Sequence, residues 1–272
     1  MLLQRFADEK GKLYFFSKDF AAKGVLATTP RNLFCQTHIY TAKDKHGAMD
    51  VGLERSYAEL EGLANAIIEK IVTSARHGDK PHLTVEERDI WDFFFYNQWK
   101  RVPDFHRKFL ETEKLEFQLN EAVAVFEANV RALTPDEKRD LVDPLWLKRV
   151  KQNAKIQALT RSSPRILAFL REKGLGIAVI RKPGKSFVMG SFPVVKLAHP
   201  GQVHPADPTV EIWLPLAHDV AVSPAPIPSA EELLVEIHDD SPVRAINAAI
   251  FKQSSAIAGR SQRLIVSLSR SR

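Results

Sequence analysis

The sequence predicts an α+β fold: a short N-terminal β element, a mostly helical middle of four to six helices, and a small C-terminal antiparallel sheet with a final helix. Three observations carry that expectation. Apolar residues recur at helical spacing from Gly52 onward, β-rich runs stand on either side of that stretch, and eight of the sixteen prolines crowd between Pro193 and Pro228. At 272 residues the chain is near the upper end for one core. A single domain over 1–272, or two intimate subdomains, is expected, with subregions 1–51, 52–173 and 174–272.

"GKLYFFSKDF" opens the chain as a short strand, bounded by Gly11 and rich in Tyr14, Phe15 and Phe16; "RNLFCQTHIYTAK" reads as a second extended or irregular segment. Leu53, Leu60, Leu63, Ile67 and Ile71 then place one apolar face on a helix. "LTVEERDIWDFFFYNQWKR" starts a second helix with Thr84 and Glu87 as a capping box, each side chain satisfying a free N–H of the first turn. A third helix is expected from about Pro103 to Leu133. A fourth opens with Thr134 as cap and Pro135 in the first helical position.

Pro144 and "SSPR" (162–165) punctuate the next helical stretch, and Gly174 is expected to close it. "LGIAVIRKPGKSFVMG" reads as two β-rich runs around a Pro-Gly turn. "TVEIWLPL" is a strand among proline-rich loops. "SPVRAINAAIFKQSSAIA" is a closing helix, with Ser241 as cap and Val243, Ile246, Ala249, Ile250 and Ile257 on its apolar face.

Hydrophobic content of 44% with 26% charge is ordinary for a globular chain and excludes wholesale disorder. The single cysteine, Cys35, excludes an internal disulfide and any multi-cysteine zinc site, which predicts a reducing, cytoplasmic setting. The start, "MLLQRFADEKGK", carries charges at positions 5, 8, 9 and 10 and so lacks the apolar stretch of a secretory signal. No apolar run approaches the roughly 20 residues of a membrane span.

The formal charge of +6 is strongly segregated. Lys148 to Lys185 holds eleven basic residues against Glu172 alone, and Ser241 to the end holds six basic residues and no acid. Those stretches carry +16, leaving −10 on the remainder. Such a distribution either attracts a polyanion such as nucleic acid or docks on the acidic part of the same protein. Lys148, Lys151 and Lys155 form one stripe on a helix whose apolar face is Leu147, Val150, Ala154 and Ala158, and Arg161 and Arg165 follow at its end. This is the best cluster for neutralising phosphates, and its plainer alternative is a solvated helix face.

Several motifs run in one order along nearly the whole chain: "LLQRFAD…GKLYFF", "NLFCQTHIY", "LERSYAELEG", "NQWKRVPDF", "SFVMGSFPVV", "LPLAHDVAV" and "INAAIFKQSSAIA". Together they resemble a mostly bacterial family, domain of unknown function 4238, named for an N-terminal His-Tyr-Val-Pro motif. The resemblance implies a length like this one and no established activity. Two departures stand out. The name-giving motif precedes the point where this sequence starts, and Ser191 stands where the family usually has the Asp of an "S-D-x-P" element. If both are functional, this copy is truncated, mis-started or altered in activity.

The resemblance singles out Glu54 and Glu61, seven residues apart and so roughly 10 Å along one helix face. Paired carboxylates can hold a metal or serve as acid and base, although glutamate on a helix usually faces water. It also singles out Asn247, expected to hydrogen-bond a neighbouring loop.

Arg101 and His106 in "NQWKRVPDFHRKF" match the Arg-x4-His spacing of HEPN-type ribonucleases, where His moves a proton and Arg stabilises phosphorane charge. Pro103 argues against it, because it disfavours a helical Val102 and predicts a joint between two helices. His199, His204, Asp207, His218 and Asp219 are metal-competent, but their spacing matches no known motif and no bound metal is predicted. The aromatic run around Trp91 sits on an apolar helix and reads as core.

Glycine-rich phosphate loops and dinucleotide fingerprints are missing, so no cofactor is predicted. Two functions remain. One is a basic module that binds nucleic acid or a nucleotide and can hydrolyse it; the other is a non-catalytic protein-interaction or regulatory domain.

Overall fold

A computed structural model describes residues 2–34, 40–43, 48–100, 112–141, 143–198 and 210–270, with the side chains of 112–116 excepted. The N-terminal part contains β1 (Leu13–Ser17), β2 (Leu26–Thr28), β3 (Ala42–Lys43) and β4 (Met49–Asp50). The helical middle contains α1 (Gly52–His77), α2 (Val85–Lys100), α3 (Thr112–Asn129), α4 (Pro135–Leu141), α5 (Pro144–Thr160) and α6 (Pro164–Arg171). Then come β5 (Gly174–Ile180), β6 (Met189–Gly190), β7 (Val195–Leu197), β8 (Glu211–Pro215), β9 (Val220–Ala225) and β10 (Glu232–Ile237). The chain closes with α7 (Asp240–Gln253), β11 (Ala256–Gly259) and α8 (Gln262–Arg270). This is an α+β fold. No described helix is long and apolar enough to cross a membrane.

The chain divides into two compact units: Met1–Gln36 with Ala58–Asp104 and Ser163–Arg272, and Thr37–Tyr57 with Phe105–Ser162. The first is built on a five-stranded sheet in the order β10-β5-β9-β8-β7. Its β5–β10 pair is parallel and the other pairs are antiparallel.

Because side chains alternate across a strand, this sheet separates two cores. Leu175, Ile177, Val179, Val220 and Val222 face one way, with Ile68 and Ile71 of α1 and Trp91, Phe94 and Phe95 of α2. Ala178, Ile180 and Ala221 face the other way, with Val243, Ile246 and Ile250 of α7. The second core continues to a four-stranded sheet in the order β2-β1-β11-β6, where the N-terminal strand pairs with the C-terminal one, Phe15 opposite Ala258.

Local chemistry explains the helix ends. Thr84 Oγ1 accepts from the Glu87 N–H at 3.2 Å and a Glu87 carboxylate oxygen accepts from the Thr84 N–H at 2.8 Å, the capping box expected of that sequence. α1 stops at Gly78, whose φ of 86° is a left-handed conformation that a Cβ would penalise.

Four expectations need correction. Leu63 is exposed, and Ala64 and Ile68 fill the core in its place. The two runs around Pro183-Gly184 are not a hairpin, since β5 and β6 belong to different sheets. Gly174 begins β5 and does not cap a helix: a Cβ there would lie 2.3 Å from Ile227 Cγ1 and 2.8 Å from the Glu231 carbonyl. The closing helix stops at Gln253, its N-cap is Asp239 and not Ser241, and "AIAG" turns back as β11.

In the second unit, Thr134 and Glu137 form another capping box with Pro135 opening α4. Asp143 caps α5, accepting from the N–H groups of Leu145 and Trp146. Thr41 is 1% exposed in this unit. Its hydroxyl donates to Glu54 at 2.7 Å and its carbonyl accepts from Gln152 at 3.1 Å, tying the start of α1, β3 and α5 together.

Candidate functional site

In the first unit, the β8–β9 hairpin tip, the N-terminal turn and α1 meet around a polar cavity of about 460 Å³ lined by Gln4, Arg5, Asn65, Glu69, Arg76 and His218. The tip is fixed by its backbone, with Leu216 and Ala217 N–H groups donating to the Val220 carbonyl. Its end is His218-Asp219, both half-buried. The His218 N–H donates to the Arg5 carbonyl at 3.1 Å, and Nδ1 of the same residue sits 3.1 Å from that carbonyl. A carbonyl only accepts, so Nδ1 carries the proton and Nε2 keeps its lone pair. Burial pushes the imidazole pKa below 6.5, outweighing the nearby Asp219 charge that acts to raise it.

Asp219 is gripped by Arg76 from α1. Burial alone acts to raise the Asp219 carboxyl, but donation by Arg76, with the charges of His218 and Arg76, brings it below the ordinary value. Across the cavity Arg5 pairs with Glu69 and donates to the Asn65 carboxamide oxygen. The arrangement offers a neutral imidazole as proton acceptor among fixed charges that balance, which is the equipment of general-base chemistry.

Sequence reasoning considered His218 and Asp219 only as metal-competent loop residues and passed over Arg5, Asn65, Glu69 and Arg76. A signal was available: "LLQRFAD" and "LPLAHDVAV" are both in the ordered motif set, and Arg5 and His218 are the residues that bring them together.

The residues nominated from sequence do not gather at that cavity. Glu54 accepts from Thr41 inside the second unit, while Glu61 is half-buried on α1. Asn247, 2% exposed on α7, accepts from the Val188 N–H and donates to the Ser186 carbonyl, both at 2.9 Å. Ser191 Oγ accepts from the N–H groups of Ser255 and Ala256 at 3.1 and 3.2 Å. Asn247 and Ser191 thus hold opposite ends of the 186–191 segment against α7 and the start of β11. Arg101, His106, Val102 and Pro103 lie outside the described residues, as do Cys35, His199, His204 and Asp207.

On α5, Lys148 is exposed, whereas Lys151 and Lys155 are half-buried. The helix buries Ile156 and Leu159 and leaves Ala158 exposed, so the stripe lies nearer the packed side than the spacing of Leu147, Val150 and Ala158 suggests. Burial pushes the Lys155 ammonium below the ordinary lysine value, and Lys155 makes no ion pair among the described residues. Arg161 and Arg165 are exposed. In the first unit, Lys100 and Lys196 are likewise lowered by burial, with Nζ 5.4 Å from the Tyr96 ring and 5.9 Å from the Trp99 ring respectively.

Among the described residues no three His, Cys, Asp or Glu side chains are grouped to hold a metal ion. No curated protein and no solved structure matches the chain. Residues 1–270 match the model of a family described as Protein of unknown function (DUF4238), and on that full-length match the chain belongs to the DUF4238 family.

Proposed function

We propose that this protein is a basic cytoplasmic module that binds nucleic acid or a nucleotide, with Lys148, Lys151, Lys155, Arg161 and Arg165 as anion contacts. The observation that carries this reading is Lys155. Its ammonium is half-buried, its pKa is depressed by burial, and it makes no ion pair among the described residues. A desolvated cation of this kind gains most from an incoming anion. Lys148 and Arg161, both exposed in the same unit, add the positive charge that a phosphate chain requires.

The alternative, a non-catalytic interaction domain, has its own supporting observation. Phe117, Val125, Val130 and Leu145 of the second unit are each more than half exposed, at 64, 63, 66 and 77%. Exposed apolar residues of this size suit a partner protein.

Fluorescence anisotropy with a labelled single-stranded oligonucleotide at low salt separates the two. Saturable binding by the parent that weakens in Lys155→Gln supports the first reading. No binding even at low salt overturns it in favour of the second.

A further inference from the structure

One face of the five-stranded sheet is only half covered. Strand register sets Leu233, Gly176 and Ser223 side by side in one row and Val235, Ala178 and Ala221 in the next. All six point away from the core that contains Leu175 and Ile177. The central strands carry only small residues here, and at Gly176 a Cβ would be a tight fit, 3.2 Å from the Ser223 carbonyl and 3.3 Å from Ala225 Cβ. α7 covers one end of this face through Val243, Ile246 and Ile250. The remainder is an open trough of about 560 Å³, floored by Gly176, Ala178 and Ser223 and walled by Leu233, Val235 and Trp213. Leu233 and Val235 are 44 and 45% exposed although they lie on a sheet face.

One cation breaks this apolar lining. Lys173, just before β5, lines the trough with its Nζ 5.5 Å from the Phe169 ring and makes no ion pair among the described residues. Two strands away, Glu211 accepts a 2.7 Å hydrogen bond from Trp213 Nε1. The volume is that of a small-molecule site, and such sites are mostly apolar with a few polar groups that fix orientation. We propose that the trough binds an apolar molecule carrying one carboxylate, of the medium-chain fatty acid type, with its chain on the small-residue floor and its head at Lys173. Burial of the chain supplies the drive, and the charge-assisted hydrogen bond to Lys173 selects the acid over its neutral analogue. This proposal does not rest on the lysines of α5.

Displacement of anilinonaphthalene sulfonate fluorescence tests it, with dodecanoate and dodecanol as competitors below their aggregation limits. The expected result is that dodecanoate displaces the dye from the parent roughly tenfold more effectively than dodecanol, and that Lys173→Gln removes this difference. Ala245→Trp, at an exposed position of α7 lining the trough, weakens both competitors with an unchanged circular dichroism spectrum. Leu233→Asp does the same from the opposite wall. Equal displacement by acid and alcohol in the parent overturns the proposal. So does a difference that survives Lys173→Gln, undiminished binding in both wall variants, or failure of the dye to bind the parent at all.

Discussion

Arg76 and Asp219 are joined by two parallel hydrogen bonds, Nε to Oδ2 and Nη2 to Oδ1, each 2.8 Å long. The pair fastens the last turn of α1 to the β8–β9 hairpin tip and so fixes the position of His218. Its fork geometry is the strong form of an arginine–carboxylate contact, although the Arg76 side chain is 44% exposed and partly screened.

The pair has a defined pH signature. Asp219 has a folded-state pKa below its unfolded value of 3.8, so its contribution is present above 3.8 and is lost as pH falls through the lower folded value. Asp219→Asn is expected to be less stable than the parent at pH 7 by about 1 kcal/mol, discounted for solvent screening. Urea titrations at pH 7 and below 3.8 check this: the gap between the two proteins closes as pH falls. A gap of constant size across that range contradicts the assignment.

Asn247 makes both of its hydrogen bonds to backbone groups, and it is 2% exposed. Asn247→Leu leaves the Val188 N–H and the Ser186 carbonyl buried without partners, at a cost of about 1–3 kcal/mol for each group. A denaturation midpoint within error of the parent would show that the 186–191 segment is held by something else.

Gly190 is a steric requirement. A Cβ at this position would fall 2.1 Å from Ser254 Oγ and 2.8 Å from Ile250 Cγ2. Gly190→Ala therefore destabilises by roughly 1–3 kcal/mol as an overpacked core site. A denaturation midpoint of Gly190→Ala within error of the parent would contradict this reading.

These residues show what the sequence exposed and what it hid. Two helix starts were legible because capping is local: Thr84 with Glu87, and Thr134 with Glu137, act over three residues. The start of α7 was not, since Asp239 and not Ser241 stands at its N-cap. The aromatic run of α2 was legible as core because its apolar density exceeds what a surface helix carries: Trp91, Phe94, Phe95 and Tyr96 are buried, and Phe93, on the outer side of the helix, is exposed. The C-terminal turn was not legible. Ile257 continues the α7 spacing, yet it pairs with Phe16 from the other end of the chain, and that partner is invisible to periodicity. Gly174 was misread for the same reason, since Ile227 and Glu231, which exclude a side chain there, arrive from a distant loop. The polar cavity was hidden likewise, because Arg5, Arg76 and His218 come from three separated segments.

The central claim is that the α5 lysines form a polyanion-contact surface, and the salt dependence of binding tests it most directly. Affinity for a single-stranded oligonucleotide should fall steeply with salt through counterion release, at a log–log slope of roughly −0.7 for each phosphate neutralised. Replacing Lys148, Lys151 and Lys155 together with Gln removes three contacts and should flatten the slope by about two units, with helicity retained because Gln suits a helix nearly as well as Lys. A triple variant that stays folded and titrates with salt along the parent's curve would contradict the claim.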